Sequence, residues 1–502
     1  MDRTHPHATT LCELNRSLRK CRHLTVSPDD DSALSQATRA DAVVFPSIVV
    51  PAHILPADAR PTMARPLATL PSKEPQHPVS ALVQLLASAM LDDDGNMSSA
   101  KAESDLLAML RTGLARITAP LRLALGMPSA EQRHAAMLES LGSGPVRSVA
   151  WHPFKQALAL AHANDSVHIY DLSSQAWCPR EPSGLVHEFQ RGVSCAAWNP
   201  TGAAALAVGC SDGICLWRLQ FDASASSISS ASGTRLQPLV PADAHQAPQP
   251  WMTLLRSPHF AHVAALAWSP DGRLLVAGSA SGPALAVFDV ASERGDVVRQ
   301  PGEATRELAF SHDGLFLLQA YRSGGIRIWE TQTWDSVLVA TKRPAHSIAW
   351  LPDSRLFVFA LEGDARVGLV QMAAPAPSLE TITAPMVRLE RLMDADADVA
   401  RRMGGIRQMR LSPGGDRALV LFERSPQVAL FAVDARPLPA FEFIGFVRSP
   451  PLAVPRSGNS GSSQIDPRRA DSVAFAGQFR RGALASIAWQ SGRLSFVPMI
   501  VK

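Results

Sequence analysis

The residues that come nearest to a catalytic arrangement are Gly209-Cys210-Ser211-Asp212-Gly213, which fit the Gly-x-Ser-x-Gly pattern of a nucleophile elbow. That pattern activates a serine only where a strand turns sharply into a helix and lifts the hydroxyl clear of the sheet. Here strand-like apolar runs flank it on both sides, ALAV before and ICLWRL after, so the expected role of Ser211 is a hairpin turn. The acidic run Asp394, Asp396, Asp398 could open a calcium loop, but such a loop needs glycine and glutamate where Val399 and Gly405 stand. Aligning Gly95 as the turn glycine of a second acidic run puts Met90 and Lys101 at ligand positions. Cys12, Cys21, Cys178, Cys195, Cys210 and Cys215 lack the Cys-x-x-Cys or Cys/His spacing of a tetrahedral zinc site and read as buried thiols of a reducing compartment. No Walker A, Gly-x-Gly-x-x-Gly or His-Glu-x-x-His sequence occurs. No catalytic, cofactor-binding or metal-binding residue and no cofactor is therefore expected. His152, His168 and His312, at turns and strand ends, have a structural role as their default.

What the sequence does repeat is a scaffold. A short apolar run ending in Trp-x-Pro or a relative of it occurs seven times: SVAWHP (148–153), CAAWNP (195–200), LAWSPDG (266–272), LAFSHDG (308–314), IAWLPDS (348–354), MRLSPGGD (409–416) and SVAF (472–475). Each is followed by an apolar strand, a turn of Asn, Asp, Ser or Gly, and a closing strand such as SVHIYDL (166–172), GICLWRL (213–219), ALAVFDV (284–290) or GIRIWET (325–331). The shortest intervals, Trp268 to Phe310 and Phe310 to Trp350, are about 40 residues, the period of a four-stranded propeller blade. The expected fold is all-β, a seven-bladed WD40-like β-propeller over residues 143–502. Trp151, Trp198, Trp268, Phe310 and Trp350 are expected to wedge between neighbouring blades. Core packing within one blade predicts the same burial.

Three stretches that break the repeat, near residues 223–250, 373–405 and 448–469, read as surface loops. Ahead of the propeller, residues 1–79 form an irregular, proline-rich arm, in which Thr9–Leu14 alternates well enough to close the ring. Residues 80–142 form a helical segment: Leu107, Leu110, Leu114 and Ile117 share a face, and Ser129 with Gln132 forms a capping box.

Composition narrows the function classes. Of 502 residues 46% are hydrophobic and 19% charged, enough to build a large core. The 48 basic and 45 acidic side chains leave a formal charge of +3, too balanced for a polyanion coat, so no direct nucleic-acid partner is expected. The first residues lack the apolar core of a secretory signal. The nearest approach to a membrane span, Ala42–Leu55, is short and broken by Pro46 and Pro51, so membrane association is expected to be indirect. Arg16, Arg19, Lys20 and Arg22 fit either an import signal or a solvated end.

Three segments carry a resemblance: VRSVAWHPFKQALALAHANDSVHIYDL (146–172), RGVSCAAWNPTGAAALAVGCSDGICLWRL (191–219) and RRGALASIAWQSGRLSFVPMIV (480–501). They resemble the aladin family of WD-repeat nucleoporins from about Val146 to Pro498, the last segment through its Gly-Ala-Leu, Ala-Trp, Ser-Gly-Arg and Val-Pro arrangement. The first 80 residues and the three interruptions differ from the family, and the Trp-Asp dipeptides are replaced by Tyr170-Asp171, Phe288-Asp289 and Trp329-Glu330. The resemblance implies a non-enzymatic structural scaffold of the nuclear pore complex. It would sit at the nuclear envelope, dock other nucleoporins, including a transmembrane nucleoporin, and support nucleocytoplasmic transport. A WD40 adaptor of another complex, such as a ubiquitin ligase substrate receptor docking through residues 80–142, shares the fold, and a propeller enzyme is the third class.

Overall fold

The computed structural model describes residues 9–14, 16–22, 48–49, 129–141, 144–172, 183–221, 236–238, 251–258, 260–298, 303–374, 376–393, 403–434, 438–450, 466–479 and 482–500. Each Trp-x-Pro run pairs with the apolar run after it as an antiparallel hairpin. In three blades the turn is built in one way. Ser269, Ser311 and Ser412 each donate their amide to the carbonyl five residues on, at 2.8–2.9 Å. Each hydroxyl accepts the amide of that same residue, Leu274, Phe316 or Arg417, at 2.8–3.0 Å. The chain can close so tightly because Gly272 and Gly415 take φ near +70°, and because each turn stacks on the turn of the preceding blade. A Cβ on Gly272 would come within 2.5 Å of Asn199, and one on Gly415 within 2.5 Å of Pro352.

A third and an outer strand complete each blade, giving seven sheets. Blade 1 holds 146–151, 157–162, 167–171 and 183–185; blade 2 holds 195–198, 205–210, 213–221 and 251–255. Blades 3, 4, 5 and 6 begin at Val263, Thr305, Ala345 and Ile406, and blade 7 at Ala470. The first strand of every blade lies against the first strands of both neighbours, blade 7 against blade 1 included, so the innermost strands close a ring. Second strands such as Ala157–His162, Ala205–Cys210 and Phe316–Tyr321 are buried at every residue, because both faces of each sheet pack on a neighbouring blade. The fold is therefore the seven-bladed β-propeller expected.

Blade 7 supplies only three strands of its own, and its outer edge is filled from the start of the chain. Thr9–Leu14 runs parallel to Arg493–Ile500, pairing Glu13 with Met499 and Leu14 with Ile500, and Ser17–Arg22 folds back on it as a hairpin. Ile48–Val49 pairs antiparallel with the other end of the same strand, at Arg493 and Leu494. The fully buried Glu13 carboxylate receives Nε and Nη2 of Arg417 at 3.0 and 3.1 Å, a fork-to-fork pair that ties the N-terminal strand to blade 6.

Two of the stretches read as loops contain strands. Within 373–405, Thr381–Arg388 is the outer strand of blade 5, followed by a single helical turn, Leu389–Leu392. Its proline masked it, since proline weakens a strand reading. Here Pro385 falls in a bulge, between the pairs Leu369 with Ala384 and Val367 with Val387, where no ladder amide is needed. Within 223–250, Leu236–Pro238 pairs with Leu219–Phe221. Residues 451–465 of the third stretch, and Leu107, Leu110, Leu114 and Ile117, lie outside the described residues.

The chain divides into two compact units, residues 1–59 with 134–502, and residues 60–133. Of the second unit only the start of the helix Ala130–Ser140 is described. It opens on a reciprocal cap: the Ser129 amide donates to Gln132 Oε1 at 2.8 Å, and the Gln132 amide to Ser129 Oγ at 3.1 Å. Among the described residues no helix is long and apolar enough to cross a membrane.

Three buried histidines make this fold acid-sensitive. Burial holds His134 and His152 down to about 4, with help from the charges of His262 and Lys155 respectively. Burial and the neighbouring His168 hold His162 down to about 3. Each imidazole stays neutral in the folded chain but takes a proton below about 6.5 when unfolded. Their contribution is therefore complete above that pH and drains away as pH falls toward 4, at up to ~1.4 kcal/mol per pH unit for each ring. The unfolding midpoint in urea should fall steadily from pH 6.5 to 4.5; a flat midpoint over that range would contradict the burial of these rings in the native state.

Candidate interaction surface

The aromatic residues singled out in the repeat sit at the seams between blades. The Trp198 indole donates to the carbonyl of Ala150 at 3.1 Å, Trp268 to Ala197 at 3.0 Å, and Trp350 to Ala309 at 3.1 Å. In all three the acceptor is the residue just before the aromatic of the preceding blade, so one blade's tryptophan reads the same backbone position in the last. Trp151 closes the ring in the same sense, donating to Ser486 Oγ of blade 7 at 2.8 Å. Phe310 has no such donor and packs, half-buried, against the cluster that joins Ala265 and Ala267 of blade 3 to Leu308 and Trp329 of blade 4.

A second set of tryptophans, in third and second strands, received no role from the sequence. Trp217, Trp329 and Trp489 are fully buried and donate to Gln190 Oε1, Gln319 Oε1 and Ser495 Oγ at 2.9, 3.0 and 2.7 Å. Two of them were legible as the recurrent aromatic of the third strand, in CLW and RIW. Gln319 also donates to Thr305 Oγ1 at 2.8 Å, so blade 4 holds a satisfied polar network inside its core.

Ser211 lies in the two-residue turn between the strands Ala205–Cys210 and Gly213–Phe221. Its hydroxyl stands 3.4 Å from Nδ1 of His134, which the helix brings over blades 2 and 3. The pair lacks what nucleophilic catalysis needs. Among the described residues the other, buried ring nitrogen of His134 has no hydrogen-bond partner and no carboxylate orients the imidazole, and a ring held near 4 is a poor base at neutral pH. One turn further along the helix Met137 packs on Ala264 and Ala280, so what the site does is seat a helix on blade 3. His152 is likewise structural: its Nδ1 accepts the amides of Phe154 and Lys155 at 3.1 and 3.0 Å. His168 lies in the third strand of blade 1, its ring 5.0 Å from that of His162, and His312 in the first turn of blade 4. Among the described residues no three His, Cys, Asp or Glu side chains gather as a metal site. Cys210 and Cys215 are buried thiols, 3.8 Å apart.

The described surface offers several exposed contact points. Val186 and Phe189 are exposed in the loop joining blades 1 and 2, with the Arg256 guanidinium 5.1 Å from the Phe189 ring, and Leu338 and Ile382 stand out from the outer strands of blades 4 and 5. A rigid ring displaying separate apolar and charged points suits protein docking better than enclosure of a small substrate.

Comparison with known proteins agrees with this geometry. The family described as WD domain, G-beta repeat matches residues 252–282. That span begins on the outer strand of blade 2 and continues into blade 3, so the repeat stitches adjacent blades. The chain is a WD-repeat β-propeller. It is similar to aladin of Arabidopsis thaliana, 22% identical over 521 residues that cover 99% of this chain and 98% of the relative. It is an aladin-like WD-repeat protein, and its fold and likeness point to a non-enzymatic scaffold.

The seam contacts set a stability expectation. Trp268→Ala should cost ~3–5 kcal/mol in equilibrium denaturation, as large core truncations do. Trp268→Phe, which keeps most of the packing but loses the bond to Ala197, should cost the ~1 kcal/mol of one hydrogen bond beyond any packing loss. An alanine variant as stable as the wild type would show that the indole does not hold the seam.

Proposed function

We propose that this protein is a structural scaffold nucleoporin, held at the nuclear envelope in the nuclear pore complex and docking other nucleoporins, among them a transmembrane nucleoporin, through its propeller surfaces. The observation that carries the reading is the end-to-end likeness to Arabidopsis aladin, 99% of one chain against 98% of the other, which includes the segment that closes the ring as well as the blades. The shared repeat alone would support only a propeller. A membrane-anchored partner fits a chain whose described helices do not cross a bilayer, and a scaffold role fits an interior given over to seam contacts and satisfied polar networks.

A ubiquitin ligase adaptor would use the helical segment as its docking element. The half of the helix from His134 onward is instead spent on the propeller, through Met137 and His134, which favours the nucleoporin reading. Support for nucleocytoplasmic transport would then follow from the position of the scaffold and not from chemistry of its own.

Tagged full-length protein in its own cell type should give a punctate nuclear rim, and nucleoporins should copurify with it. A diffuse cytosolic signal from folded protein, or copurification of ligase subunits in their place, would refute the assignment.

A further inference from the structure

Near the start of the first strand, six of the seven blades carry one residue left out of the pairing with the second strand. The skipped residues are Arg147, Ala264, Arg306, His346, Arg407 and Asp471. Such a bulge re-aims its side chain out of the regular pleat. Because the first strands form the innermost ring, these positions lie around one inner rim.

Most of the charges on this rim are matched within the protein. Arg147 bonds the Asp165 carboxylate and the Val193 carbonyl, both at 2.9 Å. Arg407 donates to the carbonyls of Ala470 and Asp471, and His346 lies 3.6 Å from Glu362. Arg306 is different: among the described residues no hydrogen bond or ion pair reaches its guanidinium. Arg322 stands beside it, since its amide donates to Ala304 at 2.9 Å and the neighbouring pair is Thr305 with Tyr321. Among the described residues the buried Arg322 Nε has no hydrogen-bond partner.

The carboxylates whose charge reaches Arg306 are all committed elsewhere. Glu307 pairs with Arg410 at 2.6 Å, Glu362 faces His346, and Glu423 accepts the amides of Gly363 and Gly405 at 3.0 and 3.3 Å. Burial, and then repulsion from Arg306, pull Arg322 down to about 10, so its guanidinium remains charged at neutral pH, and burial lowers Arg306 as well. These carboxylates act on Arg306 at a distance, and among the described residues none bonds either guanidinium directly; two adjacent, half-buried cations in that state are costly, and such costs cluster at functional sites.

We propose that Arg306 and Arg322 form an anion-binding site on the inner rim of blade 4, filled by a phosphate group. The choice of anion follows from charge and shape. A phosphate monoester carries about −1.5 to −2 at pH 7, matching two guanidinium groups, and its three oxygens suit two planar donor forks. One carboxylate presents a single two-oxygen edge, enough for only one of the two forks. The phosphate is either a free small molecule or part of a phosphorylated side chain. This assignment does not depend on the nuclear-pore reading.

The test is titration of the full-length protein with inorganic phosphate, phosphoserine and acetate at matched ionic strength, read by calorimetry and by Tm. Phosphate should bind saturably and raise Tm, and acetate should do neither. Arg306→Gln and Arg322→Gln should each weaken phosphate binding by at least about tenfold. Without phosphate, the Tm of each variant should equal or exceed that of the wild type, because a repulsion has been removed. Phosphoserine binding tighter than inorganic phosphate would assign the group to a phosphorylated chain, and the reverse order to a small phosphate. The proposal is overturned if the wild type shows no saturable phosphate binding, if both variants bind like the wild type, or if removing either charge lowers the Tm.

Discussion

Closure of the seventh blade is the constraint on which the rest of the structure depends. Every blade buries both faces of its sheet against neighbours, so the ring is stable only if no blade is left with a bare face or an unpaired outer edge. Blade 7 cannot meet that condition from its own stretch of chain. Glu13 and Leu14 at one end of its third strand, and Ile48 and Val49 at the other, complete its outer edge. The Glu13 to Arg417 pair then fixes the borrowed strand to blade 6. A buried ion pair gives little net stability over apolar packing, but breaking one side is expensive, so it serves to specify one register for the strand. Leu18 adds shape to that specification: it lies so close to Gly445 on the outer strand of blade 6 that a Cβ there would stand 2.7 Å from its Cδ1.

Within the ring, the seam contacts explain why the repeat reads as it does. A tryptophan at the end of the first strand reaches back to one backbone carbonyl of the preceding blade, and glycine in the next turn lets that turn stack on its predecessor. Both features are properties of the junction between blades. The matched WD-repeat span, 252–282, crosses such a junction for the same reason.

The inner strands were legible in the sequence because burial on both faces writes them as continuous apolar runs bounded by turn residues. The outer strands were less so. Thr381–Arg388 is exposed along much of its length and contains Pro385, so neither apolar period nor propensity marks it, and only its pairing with Arg366–Met372 makes it a strand. The alternation of Thr9–Leu14 was visible, yet nothing local tells that its partner is the last strand of the chain or that Glu13 meets Arg417. The rim arginines were silent for a related reason: a bulge is a fact about register, and Arg306 and Arg322 become neighbours only through the hairpin that joins them. Candidate chemistry at Ser211 was correctly read as a turn from its flanks, while the approach of His134 is a tertiary contact with no local trace.

Amide hydrogen exchange of the strand Arg493–Ile500, in the wild-type chain and in Glu13→Ala, tests closure of the ring most directly. The variant strips Nε and Nη2 of the buried Arg417 of their carboxylate and leaves the guanidinium only its Nη1 contacts to Asp416, a loss of up to ~3–5 kcal/mol. If the borrowed strand closes the ring, exchange at Met499 and Ile500 should accelerate by about two to three orders of magnitude, together with that of the first strands of blades 1 and 6. Unchanged protection of Arg493–Ile500 in the variant would show that the propeller closes without the N-terminal strand.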